Sequence, residues 1–101
     1  METLQTIRED LREIRYYYAK KKQLDTALEK IAPSCALDKV LRYNEAIKQA
    51  PIRLYDLYIS LYVENNTQVA LAYDWGYSND YIKQLNKQLC EFFLNSFKTK
   101  L

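Results

Sequence analysis

Apolar residues recur at helical spacing almost from the first residues of this chain. Leu4, Ile7, Leu11 and Ile14 alternate steps of three and four, which aligns side chains on one stripe of an α-helix and, when sustained, on a coiled-coil seam. The stripe jogs at Tyr17 and resumes as Lys21, Leu24, Leu28 and Ile31. That slip of phase disfavours a long uninterrupted coiled coil. Thr6 with Glu9 has capping-box spacing, so regular helix is expected to begin at Thr6. The opposite face, with Arg8, Arg12, Arg15, Lys20 and Lys22 among Glu9, Asp10 and Glu13, reads as solvated surface in preference to a phosphate-contacting face.

Pro33-Ser34 breaks this pattern, with Ser34 an expected N-cap. Ala36 to Gln49 is helical again, with Leu37, Val40, Leu41, Asn44 and Ile47 expected on one face. Pro51 suits the first position of another helix, where a missing N–H does no harm. The segment that follows is apolar over most of its circumference. Leu54, Leu57 and Leu61 make one row, and Tyr55, Tyr58, Ile59 and Tyr62 widen it, the pattern of a helix buried at the centre of a small bundle. Asn65-Asn66 marks its end, since Asn tolerates the left-handed conformation.

The stretch from Thr67 to Leu89 reads as two helices joined by a turn. Thr67 can N-cap the first, in which Leu71 and Ala72 face inward and Trp75 plugs the end. Gly76, the only glycine of the chain, supplies a turn where positive φ is cheap only without a Cβ. Ser78 caps the second helix, whose inner face is Ile82, Leu85, Leu89 and then Phe92 or Phe93. This leaves Asn79, Asp80, Tyr81, Lys83, Gln84 and Lys87 facing solvent. In a helix-turn-helix the start of the second helix enters the major groove. Asn and Gln pair there with adenine and Lys donates to guanine, while Thr67, Ser78 and helix-start N–H groups are suited to phosphates. The competing reading is a helical hairpin with a merely polar outer face.

Composition points the same way. With one glycine and two prolines among 101 residues, hairpin turns are poorly supplied. The expected fold is all-α: a small helical bundle with a long N-terminal helix and a C-terminal helix-turn-helix. Residues 1–50 form a helical segment that is a candidate for dimerisation, or for folding back on the same chain. Residues 51–101 carry the motif, and the two are expected to make one unit. The chain has no histidine, and Cys35 and Cys90 lack metal or redox spacing. No nucleophile–base pair or phosphate loop is visible. An enzyme, a metal and a cofactor are therefore not expected. No secretory signal or membrane span is visible either, so a soluble, intracellular protein is expected.

Net charge is only +2, and beyond residue 65 four lysines face three acids. Such a weak field favours dimerisation or a second protein to hold DNA. The ten tyrosines suit core and interface packing. Tyr16-Tyr17-Tyr18 point about 100° apart on a helix and cannot form one stacking platform.

The residues from Ile52 to Phe93 resemble region 4 of bacterial sigma-70-type factors. Tyr62, Thr67, Leu71, Ala72, Trp75, Gly76, Ser78, Ile82 and Leu85 stand at the positions of that motif. With short helices in front and no sigma region 2, the chain looks like the phage and prophage late-transcription regulators of the ArpU/RinA type. The resemblance implies a sequence-specific transcription regulator that binds double-stranded DNA, as a dimer or beside host RNA polymerase in the bacterial cytoplasm. It also implies base and phosphate contacts from Asn79, Asp80, Tyr81, Lys83 and Gln84. The chain departs from the family at Val69 and Ala70, where acidic residues are usual, and at Asn79, Tyr81 and Lys83, where arginines are. The alternative is a protein–protein module without DNA binding, such as a phage inhibitor of a host protein, suggested by weak charge and abundant tyrosine.

Overall fold

The computed structural model describes residues 3–23 and 34–98. They are all helical apart from their connections, with no strand among the described residues. Helix α1 spans Leu4–Gln23, α2 Ser34–Ile47 and α3 Ile52–Tyr58. A π-helical turn, Ile59–Val63, continues α3, and α4 (Gln68–Trp75) and α5 (Asn79–Lys98) complete the chain. The expected stripe at Leu24, Leu28 and Ile31, the Pro33 break and the thiol of Cys35 lie outside the described residues.

Helix α1 starts earlier than its capping-box spacing predicts. Thr3 Oγ1 accepts from the Thr6 N–H at 3.2 Å, so Thr3 is the cap and Leu4 joins the packed side. Glu9 accepts instead from Gln5 Nε2 at 3.0 Å. Ile7, Leu11 and Ile14 are each almost fully buried, with α1 lying against the π-helical turn, α5 and α2. Of the two uses open to this seam, the structure shows folding back within the chain.

Helix α2 is rotated from the expected face. Leu37 and Leu41 are 41% and 57% exposed, while Val40, Tyr43, Ala46 and Ile47 are buried. Tyr43 decides this orientation. Its ring lies 4.7 Å from Phe93 and 5.0 Å from Phe97, and its hydroxyl donates to Asp10 Oδ2 at 2.7 Å. An aromatic that buries its ring and satisfies its hydroxyl outweighs a leucine at the same interface. The same contact corrects the reading of Asp10 as solvated: only 6% of it is exposed. Its other oxygen is 3.4 Å from Lys39 Nζ, so the buried charge is paired and hydrogen-bonded.

The predicted central helix is buried as expected along Leu54, Leu57 and Leu61, with Tyr58 beside them. Pro51 occupies the N-cap rather than the first helical position, where its missing N–H is equally harmless. The π-helical turn widens the helix before it ends. Asn65 then takes φ +63°, the left-handed conformation anticipated for this pair. Tyr58 donates to Asn44 Oδ1 at 2.7 Å, and Asn44 Nδ2 donates to Tyr18 at 3.1 Å. Buried tyrosines thus serve packing and internal hydrogen bonding.

Candidate nucleic-acid interface

Local hydrogen bonds account for each boundary of the C-terminal helix pair. Thr67 Oγ1 accepts from the Ala70 N–H at 3.0 Å and caps α4. At the other end, Tyr77 N–H reaches the Ala72 carbonyl at 2.9 Å and Gly76 N–H the Tyr73 carbonyl at 3.3 Å. This is a Schellman closure with Gly76 at φ +75°. Space around its missing Cβ is open to 4 Å, so backbone conformation, not crowding, requires glycine here. Ser78 Oγ accepts from the Tyr81 N–H at 3.1 Å and caps α5. Both hydroxyls accept in these caps, and each keeps its own O–H to donate outward.

Helices α4 and α5 pack together. Leu71 and Ala72 of α4 and Ile82, Leu85 and Leu89 of α5 are all buried in the same core, and Phe93 rather than Phe92 completes the inner face. The small side chain of Ala72 lets the helices approach closely, and Trp75 packs partly buried at the end of α4. On the outer side Asn79, Asp80, Lys83, Gln84 and Lys87 are all exposed. At about 100° per residue they share an arc of roughly 140°, so these five candidate residues stand on one face. Asp80, in the first turn of α5, also sits where a negative charge complements the helix dipole.

Tyr81 does not stand free with them. It is half-buried, its ring centroid lies 4.6 Å from that of Tyr77, and its hydroxyl accepts from Arg53 of α3. The Arg53 guanidinium also lies 5.7 Å from the Tyr77 ring. Arg53, which carried no sequence signal, thus ties α3 to the turn and holds a positive charge at the start of α5.

The arginines of α1, read from the sequence as solvated surface in preference to a phosphate-contacting face, belong to a second group. Arg8, Arg12 and Arg15 of α1, Tyr62 of the π-helical turn and Asn86 of α5 line an open groove of about 210 Å³. Tyr62 donates to Asn86 Oδ1 at 2.6 Å. Burial, reinforced by the neighbouring Cys90 sulfur, pushes the Tyr62 hydroxyl up to about 12 against the opposing pull of Asn86, Arg15 and Arg8. Tyr62 is therefore neutral at physiological pH. Burial also raises the pKa of the Cys90 thiol, partly offset by Arg8. The spacing of the three arginines was a signal on one flank of α1, but the residues facing them come from distant sequence.

Among the described residues no group of acidic residues, cysteines or histidines is arranged to hold a metal ion. No described helix is long and apolar enough to cross a membrane. Compared with known protein families, curated proteins and solved structures, the chain matches none.

Proposed function

We propose that this protein is a sequence-specific, double-stranded-DNA-binding transcription regulator encoded by a phage or prophage. It acts as a dimer or beside host RNA polymerase, without a catalytic role of its own. The observation that carries this reading is the glycine-closed turn between two capped helices, with Asn79, Lys83, Gln84 and Lys87 exposed together on the second. Amide side chains flanked by lysines at the start of a projecting helix match the major-groove donor and acceptor pattern. The likeness of the Thr67–Leu85 spacing to sigma region 4 supports the same reading. Since Ile7, Leu11 and Ile14 are buried within the chain, a dimer would form on another surface.

The test is fluorescence anisotropy with promoter-length duplex DNA across a salt series. Binding should weaken steeply with salt, and Lys83→Ala with Gln84→Ala should reduce it. Binding absent at low salt, or unchanged by that pair of substitutions, would refute the proposal.

A second reading, a protein–protein module without DNA binding, draws on a different observation. Ile52, Val69 and Tyr73 are 75%, 65% and 87% exposed. Large apolar side chains left in water mark interaction surfaces when they are contiguous. Recovery of a stable protein partner free of nucleic acid, lost on Tyr73→Ala, would favour it.

A further inference from the structure

The arginine groove departs from an ordinary charged surface in how its charges are sorted. Arg8, Arg12 and Arg15 lie on one flank of α1, at steps of four and three. The acids of the same helix are engaged elsewhere: Asp10 by Tyr43 and Lys39, Glu13 by Lys39 at 2.8 Å, and Glu9 by Gln5. Among the described residues no carboxylate lies within ion-pair distance of the three guanidinium groups. Three like charges around one concavity repel one another, and an anion placed among them relieves that repulsion.

The floor of the groove adds donors and no negative charge. Tyr62 donates to the Asn86 carbonyl oxygen, which orients the Asn86 amide and leaves both of its N–H groups to offer. Arg15 gives one N–H to the Asn65 carbonyl at 3.3 Å, which fixes its guanidinium and leaves further donors free to point elsewhere. Guanidinium groups match the fork geometry of phosphate oxygens, and about 210 Å³ accommodates such a group.

We propose that the groove of Arg8, Arg12 and Arg15 over Tyr62 and Asn86 binds phosphate, filled in the DNA complex by one backbone phosphodiester beside the bases read by α5. Its role in DNA binding rests on the function proposed above. Asn86 directly precedes Lys87 and lies one turn beyond Lys83, so the groove adjoins the exposed basic row of α5. It supplies the positive charge that the helix-turn-helix itself lacks.

Two measurements on the full chain test this. In the first, inorganic phosphate is titrated into ¹⁵N-labelled protein, with chloride at matched ionic strength as control. Saturable shifts are expected at the arginine Nε–H groups and the Asn86 amide with phosphate alone. The absence of saturable shifts, or equal shifts with chloride, overturns the site. In the second, duplex DNA affinity is followed against salt for the wild type and for Arg8→Gln with Arg12→Gln. The slope of log affinity on log salt should fall by about 0.9 for each phosphate that the variant no longer neutralises, equally for specific and random sequences. If the paired variant does not fold, Arg12→Gln alone replaces it. DNA binding with an unchanged slope refutes the groove's role while leaving the proposed function standing. If the wild type binds no DNA, the proposed function fails, and the phosphate titration alone decides the groove.

Discussion

Arg15 and Asn65 exchange hydrogen bonds across fifty residues of sequence. The Arg15 guanidinium donates to the Asn65 carbonyl, and the Asn65 amide donates to the Arg15 carbonyl, each at 3.3 Å. The Asn65 amide also donates to the Tyr62 carbonyl at 3.3 Å. One residue with a left-handed backbone thus fastens α1, through its carbonyl and its side-chain amide, to the segment that delivers Thr67 to its cap. Through this clasp the arginine flank of α1 and the helix-turn-helix are held in register.

Replacing Asn65 should therefore act on conformation and on hydrogen bonding together. Asn65→Ala is expected to cost about 2–3 kcal/mol in urea denaturation, combining left-handed strain with the loss of hydrogen bonds. Asn65→Gly relieves the strain alone and should fall between Ala and the wild type. Equal losses for the two variants would contradict the conformational part.

Gly76 offers the cleaner case. With open space around it and φ +75°, Gly76→Ala should cost about 1–2 kcal/mol from backbone strain alone. Gly76→Asn should cost less, because Asn visits this conformation more readily. Thermal denaturation of both variants measures the order, and a reversed order would point to a steric role instead.

Tyr43→Phe retains the ring but removes the hydroxyl that donates to Asp10. Leaving a buried carboxylate one partner short should cost about 1–3 kcal/mol. An unchanged denaturation midpoint would show that Lys39 suffices.

Tyr62 makes stability depend on alkaline pH. Its pKa is pushed up to about 12 in the folded chain, against about 10 for a solvated tyrosine. The unfolded chain therefore loses this proton first. The contribution of Tyr62 is full below pH 10 and declines as pH rises from about 10 to 12. Tyr58 is shifted in the same direction, mainly by burial. Melting temperature should drop over that range, and less steeply for Tyr62→Phe. Equal steepness would contradict the assignment to Tyr62.

The helix-turn-helix was legible in the sequence because its boundaries are local. Thr67, Gly76 and Ser78 each act within a few residues of themselves, through one hydrogen bond or one backbone conformation. The facing of α2 was not legible in the same way. A helix with both Leu41 and Tyr43 can rotate either toward the core, and Phe93, Phe97 and Asp10, far away in sequence, decide for Tyr43. Asp10 looked solvated because its spacing places it among charged neighbours, and only α2 packing over it shows otherwise. The lateral sorting of arginines from acids on α1 was present in the spacing. Its meaning depended on Tyr62 and Asn86, which no local pattern brings beside α1.

The central claim is that α5 reads DNA sequence through the face bearing Asn79, Lys83, Gln84 and Lys87. Selection of bound duplexes from a random pool tests it most directly. The account predicts enrichment of a defined motif, relaxed at one position by Gln84→Ala at a cost of about 1–3 kcal/mol on the selected site. A pool that stays random through successive rounds, or a motif indifferent to that substitution, would contradict it.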